Sequence, residues 1–295
     1  MGPARLLACV LVLAGACARS AAAAEAADAI AAGAPPGRAS STEINKNVTD
    51  PISTTWSLQL ENTVNGVDVQ GLGNHIENTV TFQPTMPVLL TPGLKFISRP
   101  NFTLLDDKPF ANSQGSLART TGVGDTKVDF VLSPILGPWL FALGPTFVCP
   151  TANLEETGQG KWQAGPASVF GYRSKTWLAG VIEQQWWSFA GSPGRPAVSE
   201  LHLQYIASYF FGDGWSIGTA PIIKVNWRAS PGNGVTFPFG PALAKVVKIG
   251  GLPVKFEVRA MYVPVHPDTN GDQFQIQLLV TPVIRTLVPG PLFGG

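Results

Sequence analysis

The chain has 295 residues, 13% of them charged, and a formal net charge of +1 at pH 7. That charge content is about half the usual share for a soluble domain, and the near-neutral balance argues against a nucleic-acid partner. No apolar run of the roughly 18 residues that a membrane helix needs follows the N-terminal segment. A closed transmembrane β-barrel is the remaining way to hide so much apolar surface, because it pairs every backbone group within its own wall.

In chain order, the first predicted element is a secretory signal peptide over residues 1–24. Met1 to Arg5 carries one positive side chain, Leu6 to Ala16 is a short apolar run, and Ala18 to Ala24 is rich in small residues. That is the basic start, short apolar core and A-x-A site of an export signal. Cleavage after Ala18 and after Ala24 both fit. Lipidation at Cys17 is the competitor, although Ala14, Gly15 and Ala16 lack the large apolar residue usual before such a cysteine. Residues 25–48, rich in Ala, Gly and Pro up to Ser41, read as a flexible lead-in. The barrel is expected over residues 49–286 and a C-terminal tail over 287–295.

Period-two alternation is the strand signature, and it is clearest from Trp215 to Arg228. Trp215, Ile217, Thr219, Pro221, Ile223, Val225 and Trp227 share one face, and Ser216, Gly218, Ala220, Lys224, Asn226 and Arg228 the other, with Ile222 the exception. At about 3.3 Å per residue and a tilt of about 40°, the two tryptophans stand roughly 30 Å apart along the barrel axis. That matches an apolar band edged by aromatic girdles, with Trp215, Trp227, Tyr209 and Tyr262 as girdle residues. The same alternation marks Glu200 to Tyr209, Val254 to Tyr262, Gln273 to Val280 and Asp125 to Leu132. Weaker runs cover Thr54 to Glu61, Ile76 to Gln83, Leu94 to Leu104, Trp139 to Val148, Lys161 to Tyr172, Trp177 to Ser188 and Val235 to Val247. The prediction is an all-β, antiparallel up-and-down barrel of about 12 strands, an even number as in single-chain bacterial barrels. A soluble β-sandwich has the same alternation, but strands this long and a surface this poor in charge disfavour it.

Connections after the fourth, sixth, eighth and tenth strands are short: Ile135 to Pro138, Arg173 to Thr176, Gly212 to Gly214 and Lys248 to Pro253; the turn after the second is less tidy. Those after the odd-numbered strands are mostly longer and polar: Leu105 to Thr121, Thr151 to Gly160, Ala190 to Pro196 and His266 to Asp272. Outer-membrane barrels show this asymmetry, and it puts both termini in the periplasm. The expected location is the outer membrane of a Gram-negative bacterium, with outer-membrane lipids and the barrel-assembly machinery as partners.

Chemistry-bearing motifs are few. Two of the three cysteines precede residue 18, so only Cys149 remains and no internal disulfide can form. No zinc-ligand spacing occurs, and neither a metal nor another cofactor is expected. GVGD at Gly122 to Asp125 lacks the lysine and helix of a phosphate loop. His75 and His266 fall in predicted loops. His202 lies on the lumen face beside Glu200 and Gln204, and no G-x-S-x-G elbow supplies a serine. An enzyme is therefore not expected, and an outer-membrane hydrolase is the least favoured reading. The lumen-lining set is Asp125, Lys127, Asp129, Glu200, His202, Gln204, Lys224, Asn226, Arg228, Lys255, Glu257, Arg259, Gln273, Gln275 and Gln277. Asp125, Lys127 and Asp129 read as a salt-bridge ladder rather than an acid–base pair. The mixed signs argue against strong ion selectivity. Trp162, Trp186 and Trp187 read as girdle residues, with a hydrophobic path as the alternative.

Seven stretches carry a family resemblance: TDPIS (Thr49 to Ser53), TGVGD (Thr121 to Asp125), LGPTFVCPTA (Leu143 to Ala152), GQGKWQAGPA (Gly158 to Ala167), QQWWSFAG (Gln184 to Gly191), GWSIGTAPIIKVNW (Gly214 to Trp227) and KIGGLPVKFEV (Lys248 to Val258). In this order, from about Asn47 to Arg285, the chain resembles the outer-membrane protein family associated with the MetA pathway of phenol degradation, whose members are often labelled transporters. The resemblance implies a barrel and a role in uptake of small aromatic or apolar compounds. It transfers no ligand residues. LVPGPLFGG at Leu287 to Gly295 departs from relatives that end soon after the last strand on an aromatic. The expected function is a channel or facilitator for small solutes through the lumen. A structural or adhesive barrel with a plugged lumen is the alternative.

Overall fold

The computed structural model describes residues 39–69, 72–268 and 270–294. The signal peptide expected over residues 1–24 and the first part of the lead-in lie outside the described residues. The rest of the lead-in is ordered. Helix α1 (Ser41–Thr49) begins where the Ser40 hydroxyl accepts the Glu43 backbone N–H at 3.1 Å, the usual way to satisfy an orphan donor of a first turn. The expectation of a flexible segment to residue 48 is therefore corrected. Composition alone does not show that Ile44 and Val48 have a wall to pack on, and Ile44 clusters with Val246 and Val283.

The remaining elements are strands: β1 (Ser57–Val69), β2 (Gly73–Thr91), β3 (Leu94–Ala111), β4 (Leu117–Gly122), β5 (Thr126–Pro134), β6 (Trp139–Cys149), β7 (Lys161–Arg173), β8 (Trp177–Gly191), β9 (Ser199–Phe210), β10 (Trp215–Thr219), β11 (Ile222–Asn226), β12 (Val235–Phe239), β13 (Ala242–Ile249), β14 (Leu252–Val265) and β15 (Gly271–Pro282). They make twelve antiparallel staves, because β4 and β5, β10 and β11, and β12 and β13 are each two halves of one stave. The wall closes where β1 meets β15, with Leu60 opposite Val280 and Val64 opposite Ile276. Each predicted strand has its stave.

Two of the split staves break at proline, between Thr219 and Ile222 and between Phe239 and Ala242. Pro221 and Pro241 have no N–H to give the ladder. Gly240 sits at the second break, where an added Cβ would lie 1.9 Å from the Ala260 carbonyl oxygen. Only glycine allows the two strands to approach this closely.

Short turns and the terminal segments share one rim. α1 packs against β13 and β14 at that rim, and Leu292 and Phe293 of the tail donate backbone N–H groups to Leu89 O and Leu90 O. At the other rim the predicted loop of residues 105–121 is instead mostly a hairpin. β3 continues to Ala111 and pairs β4 from Asp106↔Gly122 to Ala111↔Leu117. Its polar residues hid the pattern, since beyond the lipid both faces are wet. Arg119 holds it, donating from Nε and Nη2 to Asp107 at 2.8–3.1 Å and from Nη2 to Ile76 O at 2.7 Å. His75, expected in a loop, lies just inside β2.

Large apolar side chains cover the outside. Trp139 meets Tyr172 edge-on at 5.1 Å and Trp177 meets Tyr209 at 4.8 Å, on the short-turn side. Trp162, Trp187 and Trp227 are 45%, 51% and 59% exposed near the other rim, and Tyr262 is 60% exposed. These form two belts, as expected of a spanning barrel. Trp186 is the correction: it is 1% exposed, points inward, and donates from Nε1 to the Thr146 hydroxyl at 3.0 Å. Adjacent residues on a strand face opposite ways, so Trp186 and Trp187 cannot both be girdle.

The Arg119 hydrogen bond holds the Asp107 carboxyl below its ordinary value of 3.8. A depressed carboxylate contributes stability above its unfolded pKa and loses it as pH falls through the folded value. Hydrogen exchange in the β3–β4 hairpin, corrected for intrinsic rates, should therefore be steady from neutral pH down to the ordinary value of 3.8 and accelerate only below it. In Arg119→Ala this acid step should vanish.

Candidate functional site: the barrel lumen

The inward faces divide the lumen into two unlike walls. On β5 to β9, inward residues Val131, Leu140, Ala142, Val169, Leu178 and Ile206 join one apolar cluster, with Ile52 of the segment after α1. On β1, β2, β3 and β15 the inward positions are mostly hydroxyls and amides, among them Gln59, Thr63, Thr81, Gln83, Asn101 and Gln277, with the charged Glu61, Glu77 and Arg99 between them. The free space is a cavity of about 330 Å³ along the polar wall, touched on its other side by Ile182, Ile206, Ala220, Ile222 and Ala242. A second cavity of about 410 Å³ opens toward the long-loop rim. Glu77, Thr79, Lys127, His202 and Lys224 line both and form the waist between them.

The segment from α1 to β1 forms the floor. Asn47, Asp50, Ser53 and Thr55 line the inner cavity above and a further cavity of about 360 Å³ at the short-turn rim below. Arg173 of β7 anchors this floor, donating to Glu43 and Asn47 at 2.6 Å and to Asp50 at 3.1 Å. Lys255 donates to the Thr49 hydroxyl at 2.8 Å, Lys95 to the Ile52 carbonyl, and Asn45 to Gly214 O at 2.9 Å. Arg173 and Lys95 were not among the expected lumen residues. Arg173 falls in a predicted turn and Lys95 at the start of a predicted strand, and only the returning segment supplies their partners.

Most expected lumen residues are where alternation puts them. Lys127, Glu200, His202, Gln204, Lys224, Lys255, Glu257, Arg259, Gln275 and Gln277 line the cavities. Glu257 bridges Lys255 at 2.6 Å and Arg259 at 2.5 Å, a ladder along one strand. Glu200 pairs with His202 at 2.5 Å and takes the Gln159 amide at 3.2 Å. His202 also packs edge-on against Trp186, with ring centroids 4.9 Å apart.

The Asp125–Lys127–Asp129 ladder does not form. Asp125 lines the outer cavity but accepts backbone N–H groups of Ala152 at 3.1 Å and Gln159 at 2.7 Å, pinning loop 150–160 over the mouth. Asp129 is 8% exposed and bonds to Thr146 and Gln184, both at 2.7 Å, beside the cavities rather than in them. Lys127 Nζ instead lies 5.2 Å from the Trp186 ring centroid. Positions two apart on a strand are about 6.6 Å apart, and nearer neutral partners satisfy each carboxylate first. Asn226 and Arg228 are also corrected: both are exposed at the long-loop rim, Arg228 beyond the end of β11 in a turn. Gln273 lies near that rim and lines neither cavity of the waist.

No protein-family model matches the chain, and no curated protein matches it in sequence. Solved structures do. One is a COG4313 outer membrane channel from Pseudomonas putida F1, 13% identical, with a TM-score of 0.61 over 79% of this chain and 96% of that one. Another is the NanC porin, 8% identical, with a TM-score of 0.48 over 78% and 99% of the two chains. The first likeness shows that the chain shares the fold of an outer-membrane barrel.

Arg173 is the clamp of the floor. Removing a buried partner of such a cluster costs on the order of 2–3 kcal/mol where one member, here Glu43, is partly solvated. Arg173→Ala should leave the barrel folded, as read by its heat-dependent gel mobility. It should open residues 39–55 to limited proteolysis.

Proposed function

We propose that the protein is an outer-membrane channel or facilitator that passes small solutes through its lumen. The observation that supports this most directly is the inner cavity of about 330 Å³ with one hydrogen-bonding wall and one apolar wall. That volume is at the small end of ligand pockets. A solute with a flat apolar face and a polar edge, such as a hydroxylated ring, satisfies both walls. A purely apolar solute would strand the threonine and glutamine groups on the other side, and unpaired polar groups are costly. This keeps the aromatic compounds implied by the phenol-degradation resemblance and favours their hydroxylated members. The outer-membrane location rests on the belts, the loop asymmetry and the likeness to a known outer-membrane channel. The mixed signs of the charges that line the cavity, among them Glu61, Glu77, Arg99, Lys255, Glu257 and Arg259, support passage with little preference for ion sign.

One observation favours a second reading. The α1 segment stands between the inner cavity and the short-turn rim, as a plugged structural barrel would require. Passage on the first reading needs this floor to shift.

Liposome swelling separates the two. The reconstituted protein should admit small hydroxylated rings, Arg173→Ala should admit them faster, and Ile206→Trp, which fills the apolar wall, should slow them several-fold. Liposomes that stay sealed with both the native protein and Arg173→Ala would leave the plugged barrel as the better account.

A further inference from the structure

The outer face of the barrel carries a polar anomaly. Along β8 the outward residues run Trp177, Ala179, Val181, Glu183, Gln185 and Trp187, and Glu183 is exposed. Trp177 and Trp187 belong to the two belts, about 25 Å apart along the axis. Glu183 stands between them, about 15 Å from the lower one. A carboxyl at this depth faces hydrocarbon, where ionisable groups are rare and mark functional contacts. Among the described residues, the outward positions of the other staves carry no acidic or basic side chain between the belts. Lys245 comes nearest, but it stands opposite Trp215 at the lower belt, with Nζ 4.7 Å from that ring's centroid.

The neighbours of Glu183 satisfy it incompletely. The Ser168 hydroxyl of β7 donates to one carboxyl oxygen at 3.3 Å. Gln185, two residues along, is already covered by Trp227, whose Nε1 donates to it at 2.8 Å. Pro166 and Gln185 flank the Ser168–Glu183 pair on one side and Phe170 and Val181 on the other, with Ala164 and Ala179 one step further out.

We infer that the outward face of β7 and β8 is the contact of a homodimer, in which Glu183 and Ser168 of two copies hydrogen-bond across a two-fold axis along the membrane normal. Lipid chains offer no donor at this depth, and head groups sit beyond the belts. A second copy of this chain is held at the same depth by the same belts, so it necessarily brings a hydroxyl and a carboxyl to the same level. A two-fold contact is self-complementary, and an adjacent donor and acceptor on each copy meet that condition.

The full-length protein in lipid nanodiscs tests this by mass. The native chain should be twice the protomer mass, Glu183→Gln should remain so, and Glu183→Leu should fall to the protomer mass while staying folded by gel mobility. Disulfide trapping in native membranes, in a Cys149→Ser background, gives an independent reading. Ser168→Cys should cross-link to itself, or Ala164→Cys where the first does not fold, and Leu278→Cys on the distant β15 face should not. A protomer mass for the native chain, a dimer indifferent to Glu183→Leu, equal trapping at residues 168 and 278, or capture of a different protein at residue 168 would each overturn the inference.

Discussion

The constraint on which everything else depends is that no backbone N–H or C=O in the wall can be left without a partner in lipid. The pairing of β1 with β15 meets it by removing the last sheet edge. Closure has local consequences. Pro221 and Pro241, which cannot donate, stand at two breaks in the wall, and Gly240 sits at the second. Closure also gives every strand an inside and an outside, and the period of two then sorts chemistry between them. Trp186 inside and Trp187 outside show how strictly that sorting acts on neighbouring residues.

Inside, the twelve-stave wall encloses more space than its side chains fill, and the chain returns its own N-terminal segment to occupy part of it. α1 rests through Ile44 on Val246 and Val283, and the Arg173 cluster fixes its polar side. Lumen charges are neutralised by whatever lies nearest. On β14 that is the next inward residue, giving the Lys255–Glu257–Arg259 ladder. On β5 it is loop backbone for Asp125 and neutral side chains for Asp129, which leaves Lys127 beside an indole at the waist. The same alternation thus produces an ion-pair ladder in one place and separated charges in another.

The hydrocarbon and the water outside it explain where alternation is easy to read. Between the belts one face must be apolar, so the strands announce themselves. Beyond the belts both faces are solvated, and the β3–β4 hairpin, held by Asp107 and Arg119, has no such pattern to show. Glu183 is the converse case: a break in the pattern within the belts, visible along Trp177 to Trp187 once that strand's outward face is identified.

The twelve staves, their order, the two kinds of connection and the inward placement of residues such as His202, Lys224 and Glu257 were legible in the sequence. Each follows from local alternation between two belts, and a neighbour at i+2 is enough to reveal it. The floor made by α1, the clamp at Arg173, the division of the lumen into a polar and an apolar wall, and the failure of the Asp125–Lys127–Asp129 ladder belong to the tertiary structure alone. They depend on contacts such as Arg173 with Asp50 and Asn45 with Gly214, between residues more than a hundred positions apart. Only the closure of the barrel brings those residues within reach of one another.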